Sequence, residues 1–198
     1  GKTNAGSNTS GVTEEAEKAE KQEKINLKAI QSEASTLKSA ASALRSGKVF
    51  KPVKNEETGV EEIDKDAVKK QVKAFVEGYN KTIEAAGNAD TQSVLRKTLW
   101  MINDVKANSG LLKDAGISIG TDNKLTLNET KLDEAKMTTV KSLFSGTNSL
   151  ADKVTKKASE LERLSGAAMN TKSKSTVSYT SKGDYTSLSS SSIYNSFF

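Results

Sequence analysis

Three groups of side chains in this 198-residue chain have types and spacings that chemistry could use. Asp122, Asn123, Asn128 and Glu129 gather oxygen donors, as a Ca²⁺ loop does. An EF-hand loop needs ligands at alternate positions and a bidentate Glu at the twelfth, and this segment lacks that register. A turn followed by a helix cap accounts for the four residues better. Glu61, Glu62, Asp64 and Asp66 offer paired carboxylates. Acid–base work needs an apolar pocket that raises one pKa above the other. None is encoded nearby, and an acidic helix start is the ordinary reading. Trp100, the single tryptophan, could stack a ligand, but a tryptophan in a core or at a bundle edge is far commoner.

The absent residues exclude more than the present ones suggest. The chain has no His and no Cys. That removes the usual nucleophile–base pairs and the zinc, copper and haem sites built from imidazole or thiolate. No cofactor is expected and the chain reads as non-enzymatic. Lys plus Arg is 30 against 25 for Asp plus Glu, a net charge of +5 spread along the chain. Basic residues neither cluster nor interleave with aromatics, so no nucleic-acid partner is expected. No apolar run approaches a membrane span, so no membrane insertion is expected either. No secretory signal is visible, and Gly1 reads as an expression remnant that a further N-terminal segment would precede.

The elements that would position these residues are mostly helical. Residues 1–12 are small and polar and read as disordered. Thr13 reads as the cap of a first helix whose opening turns are nearly all Glu, Lys and Gln, a solvated face. Leu27, Ile30, Ala34, Leu37, Ala41 and Leu44 then recur at alternating spacings of three and four, a heptad seam. The seam either packs within the chain or docks a neighbouring one. Gly47 reads as the helix stop. Residues 48–63 read as a connector with a short edge strand. Asp64 caps a second helix carrying Val68, Val72, Phe75, Val76, Tyr79 and Ile83. Asp90 or Thr91 opens a third, with Val94, Leu95, Leu99, Ile102 and Val105 facing inward.

The period then changes. Ile117 and Ile119 alternate, and so do Leu125 and Leu127, around a turn at 120–124. This predicts a β-hairpin that lays those four side chains on the helical core, with Asn123 in the left-handed conformation. Asn128 caps a short helix, a second short helix carries Val140, Leu143 and Phe144, and a last one spans roughly 149–168. From Asn170 the chain is Ser/Thr-rich, with Tyr194, Phe197 and Phe198 near its end, and reads as a tail. The fold class expected is mainly α: an elongated helical bundle or coiled-coil stalk over 13–169, with one small β-hairpin near 116–127.

Three segments in order resemble the flagellar hook-associated protein 2 family, which caps the flagellar filament. Gly116-Ile117 through Asn123-Lys124-Leu125-Thr126-Leu127 to Lys131-Leu132 and Ala135 is similar to that family's G-I…D-G-K-L-T-L-D-x-x-K-L-x-x-A hairpin, followed by Leu143-Phe144. Phe75-Val76-Glu77-Gly78-Tyr79-Asn80 resembles its F-V-x-x-Y-N helix, and Thr91-Gln92-Ser93-Val94-Leu95-Arg96 its D-x-x-L-R entry. The resemblance covers about residues 67–165. The family's β-rich head domains would stand where only 48–63 lies, and the family's terminal helix, which pairs with the first, would stand where this chain has its Ser-rich tail. The resemblance therefore implies a reduced relative keeping the helical stalk.

The function expected is a non-catalytic structural protein of the flagellar axial type, extracellular and acting through helix–helix packing. The alternative is a cytoplasmic adaptor or chaperone-like module on the same fold. A projecting seam of Leu27, Ile30, Leu37 and Leu44, lacking a partner in the chain, would carry self-association or binding to axial proteins, with the aromatic tail as a second contact.

Overall fold

The computed structural model describes residues 9–172, with side chains described from Thr13. The tail and its aromatics lie outside the described residues. The first helix, α1, runs Thr9–Arg45, about 55 Å at 1.5 Å per residue. It begins four residues before the expected cap at Thr13, so 9–12 are helical rather than disordered. Once a helix is nucleated, each added residue gains a backbone hydrogen bond, and the Glu-, Ala- and Lys-rich turns that follow favour propagation. Gly47, at φ 70°, stops it in the left-handed conformation. A 3₁₀ turn, Lys48–Phe50, then drops Phe50 into the core.

The connector holds a second hairpin. Strands β1 (Val53–Lys54) and β2 (Glu61–Glu62) pair antiparallel, Val53 opposite Glu62 and Lys54 opposite Glu61. The Asn55 carboxamide oxygen accepts from the N–H groups of Glu57 and Thr58, and Gly59 turns the chain at φ 71°. Only two residues pair on each side, and all four are exposed, so no apolar alternation marked them in the sequence. The described residues thus contain two small antiparallel ribbons where one was expected.

Helix α2 (Lys65–Ala86) starts at Asp64, whose carboxylate accepts from Ala67 N–H at 2.9 Å. Helix α3 (Gln92–Ala107) follows. Asn108 closes it and also opens α4 (Ser109–Asp114). Strands β3 (Ile117–Ile119) and β4 (Leu125–Leu127) form the expected hairpin, with Ile117 opposite Leu127 and Ile119 opposite Leu125. Asn123 sits at φ 62° in its turn. Helix α5 (Glu129–Glu134) is capped by Asn128, α6 (Met137–Phe144) follows, and α7 (Leu150–Lys172) ends the described chain, four residues later than expected.

The molecule is mainly helical, with α1, α2, α3 and α7 as its long members. Arg45 pairs with Asp152 at 3.0 Å, Lys38 pairs with Glu162, and Gly166 lies against Gln31, so α7 runs antiparallel to α1. Helix α2 is antiparallel to α1 on another side: Gly78 abuts Leu37, and Asn26 donates to the Asn88 carbonyl at 2.6 Å. Helix α3 packs on α7, tied by the Lys97–Glu160 pair. Phe75 and Phe144 meet edge to face at 5.2 Å where α2 receives α6.

Candidate interaction surface

The heptad seam is not a free surface. Leu27, Ile30, Ala34, Leu37, Ala41 and Leu44 have no solvent exposure at all. Helix α7 covers the seam along one side and α2 along the other; these are the two most extensive helix pairings in the molecule. Each buried leucine there contributes roughly 1.5–3 kcal/mol. The expected projecting seam is therefore corrected: Leu27, Ile30, Leu37 and Leu44 belong to the intramolecular core. The partner thought absent is α7, whose buried face is built from Leu150, Ala151, Val154, Ala158 and Leu161; its apolar stripe is readable in the sequence, but not that it pairs with α1. Leu37→Glu with Leu44→Glu would unfold the bundle rather than dissociate an assembly.

The hairpin residues come together on the other side of α2. Ile117 and Leu125 are buried, while Ile119 and Leu127 are half-buried against the core. The Asn80 side chain holds this unit by accepting from Leu125 N–H and donating to the Leu125 carbonyl. Gly116, at φ 76°, lets the hairpin base touch α5: a β-carbon there would meet Asn128 O and Leu132 N at 2.9 Å.

The groups weighed for chemistry have structural work. Asp122 accepts from Lys124 N–H at 3.1 Å within its turn, and Glu129 pairs with Lys73 at 2.9 Å, which holds that carboxyl below its ordinary value. Glu62 accepts from the Asn55 side chain, and Asp64 is a helix cap. Asp152 is buried and accepts from Lys156, from Asn148 N–H and from Arg45; these bonds, Lys156 foremost, hold its carboxyl near 2 against an ordinary 3.8. Glu23, read as part of a solvated face, is buried instead: it accepts from Asp90 N–H and from the Thr91 hydroxyl at 2.7 Å, and so ties α1 to the residues that lead into α3.

Two neighbouring features remain open to a partner. Residues 13–19 of α1 are all exposed, and among the described residues α7 reaches only to about the level of residue 25 of α1. Among the described residues, about 15 Å of helix, over 13–22, thus stands clear of the bundle. Close to that end, α3 and α7 enclose a shallow groove lined by Ser93, Arg96, Lys97, Trp100, Glu160, Arg163 and Leu164, with Glu160 paired to Lys97. Trp100 is 49% exposed, so it is an edge residue, with the Lys97 ammonium 4.2 Å from its ring centroid. Arg96 and Arg163 are exposed and form no ion pair among the described residues.

Comparison with protein-family models, with curated proteins and with solved structures finds no match to this chain. Among the described residues, no helix is long and apolar enough to cross a membrane.

Proposed function

We propose that this chain is a non-catalytic assembly protein of the flagellar axial type, related to the stalk of the filament cap family and working outside the cell through helix–helix packing. The observation that carries the reading is the Asn80–Leu125 clamp. Asn80 ends the segment resembling F-V-x-x-Y-N, and Leu125 lies in the segment resembling K-L-T-L. Two stretches chosen for their likeness to one family are thus a single packed unit, and Leu95, in the third stretch, is buried in the adjoining helix. That the stretches adjoin in the fold supports reading them together. With the seam of α1 covered internally, assembly would use the outer helix faces.

The test is fractionation of the bacterium that makes the chain. Filaments are sheared from the cells and blotted with an antibody to the protein. Recovery in the sheared fraction is the expected result. Retention of all the protein in the cytoplasm overturns the proposal and favours the adaptor or chaperone-like reading.

A further inference from the structure

The projecting start of α1 and the Trp100 groove are complementary, and we infer that they meet between two copies of this chain, each copy laying its projecting helix in the groove of the other. The inference rests on surface chemistry alone and stands whether or not the chain is a flagellar protein.

The groove supplies an excess of cations and one large apolar side chain, its carboxylate Glu160 being paired with Lys97. Arg96 and Arg163 are exposed and unpaired among the described residues, and Trp100 stands half in solvent between them and Leu164. Tryptophan and arginine are the side chains that most often carry binding energy at protein interfaces. The projection supplies the opposite. Between Thr13 and Gln22 it has Glu14, Glu15, Glu17 and Glu20 against Lys18 and Lys21. Glu14 is engaged by Lys18 and Glu20 by Lys24, both exposed pairs that hold weakly, and Glu15 and Glu17 have no ion pair among the described residues.

The apolar register fits as well. Ala16 lies five helical turns before Ala34, and Ala19 five turns before Leu37, so both extend the side of α1 that is buried further along. There they are exposed, flanked by Glu15 on one side and Glu20 on the other. Two alanines give a helix face flat enough to approach a tryptophan ring, with carboxylates at both margins for the two guanidinium groups. A second copy is the occupant because this chain itself carries that acidic face, exposed among the described residues and close to the cationic groove. Glu23, where α1 leaves the bundle, is bonded to Thr91, where α3 begins. The groove thus starts at the same end of the molecule as the projection. Two copies meeting at those ends, related by a two-fold axis, bring each projection of about 15 Å alongside about 10 Å of groove between Ser93 and Trp100.

Trp100 is the only tryptophan, so its fluorescence reads the contact directly. The full chain is examined over a concentration series by sedimentation and by Trp emission. A dimer is expected, with a blue shift of emission that tracks its population, and dimerisation weakens about tenfold from low to high salt. Two variants are then made, the groove reversed by Arg96→Glu with Arg163→Glu, and the helix reversed by Glu15→Lys with Glu20→Lys. Each alone is expected to be monomeric, with the parent's melting curve. Mixed in equal amounts they are expected to restore a dimer, because each now offers the charge the other lacks at both contacts. A parent that stays monomeric at its highest soluble concentration in low salt overturns the inference. So does dimerisation that survives in either variant alone, or a mixture that stays monomeric while the parent dimerises.

Discussion

The Asn80 carboxamide closes two hydrogen bonds on a single residue, accepting from Leu125 N–H at 2.7 Å and donating to the Leu125 carbonyl at 2.8 Å. Antiparallel pairing points alternate backbone groups away from the partner strand. Gly120 and Lys124 bond across the hairpin, as do Asn128 and Gly116, which leaves those of Leu125 facing outward from β3. Asn80 takes the place of a third strand. Asn80→Ala strands a donor and an acceptor in a half-buried site and should cost about 1–3 kcal/mol. Thermal unfolding followed by circular dichroism should show a fall of several degrees. Hydrogen exchange at Leu125 should rise more than at Ala158, far away on α7.

Gly78 sits where α2 crosses α1. A β-carbon there would meet Leu37 Cα at 3.2 Å, and Leu37 is fixed in a helix that α7 backs from another side. Helix propensity favours Gly78→Ala by about 1 kcal/mol, while overpacking costs about 1–3 kcal/mol. The backbone contact cannot swing aside, so net destabilisation is expected. Gly110, in α4, has nothing within 4 Å of its would-be β-carbon. Gly110→Ala should therefore stabilise by about 0.5–1 kcal/mol. Chemical denaturation of the two variants should give midpoints on opposite sides of the parent.

Asn123 holds φ 62° and is 3% exposed. Gly takes that conformation without strain, so Asn123→Gly should stay within about 1 kcal/mol of the parent. A β-branched replacement is strained there, and Asn123→Val should lose about 1–3 kcal/mol. Equal midpoints for the two variants in urea would show that backbone conformation does not decide this position.

Asp152 gives the bundle a dependence on acid. Its carboxyl is held near 2 in the folded chain against an ordinary 3.8, so the folded state releases this proton more readily than the unfolded one. The stabilisation is fully present above the ordinary value and is lost as pH falls toward 2. Parent stability should drop through that window. Asp152→Asn should start lower by about 1–3 kcal/mol, from the loss of charge-assisted bonds to Lys156 and Arg45, and should show a shallower slope there. Urea titrations at several pH values between 2 and 5 compare the slopes.

Local signals were legible in the sequence. Asp64 and Asn128 were readable as caps, Gly47 as a stop and Asn123 as a left-handed turn residue, because each acts on neighbours within a few positions. The hairpin was legible from its alternation. Glu23 was not: its partners stand 67 and 68 residues away, and its surroundings of Glu, Lys and Gln resemble any solvated helix. Arg96, Trp100 and Arg163 belong to two helices, and no sequence pattern links them. The role of α7 was hidden for a related reason. Small residues at Ala151 and Ala158 let it lie close to α1, and its apolar stripe of Leu150, Val154 and Leu161 does not say which helix it covers.

The pairing of α1 with α7 joins residues 107 and 124 positions apart through Arg45–Asp152 and Lys38–Glu162. A ribosome adding about 5–20 residues per second takes roughly 5–25 s to cover that distance. During that interval the nascent α1 has only α2 to lie against, and the α7 side of its apolar seam is bare. The chain therefore has a period in its synthesis when Leu27, Ile30, Leu37 and Leu44 are open to a holding chaperone or to another nascent copy, and the arrival of the last helix ends it.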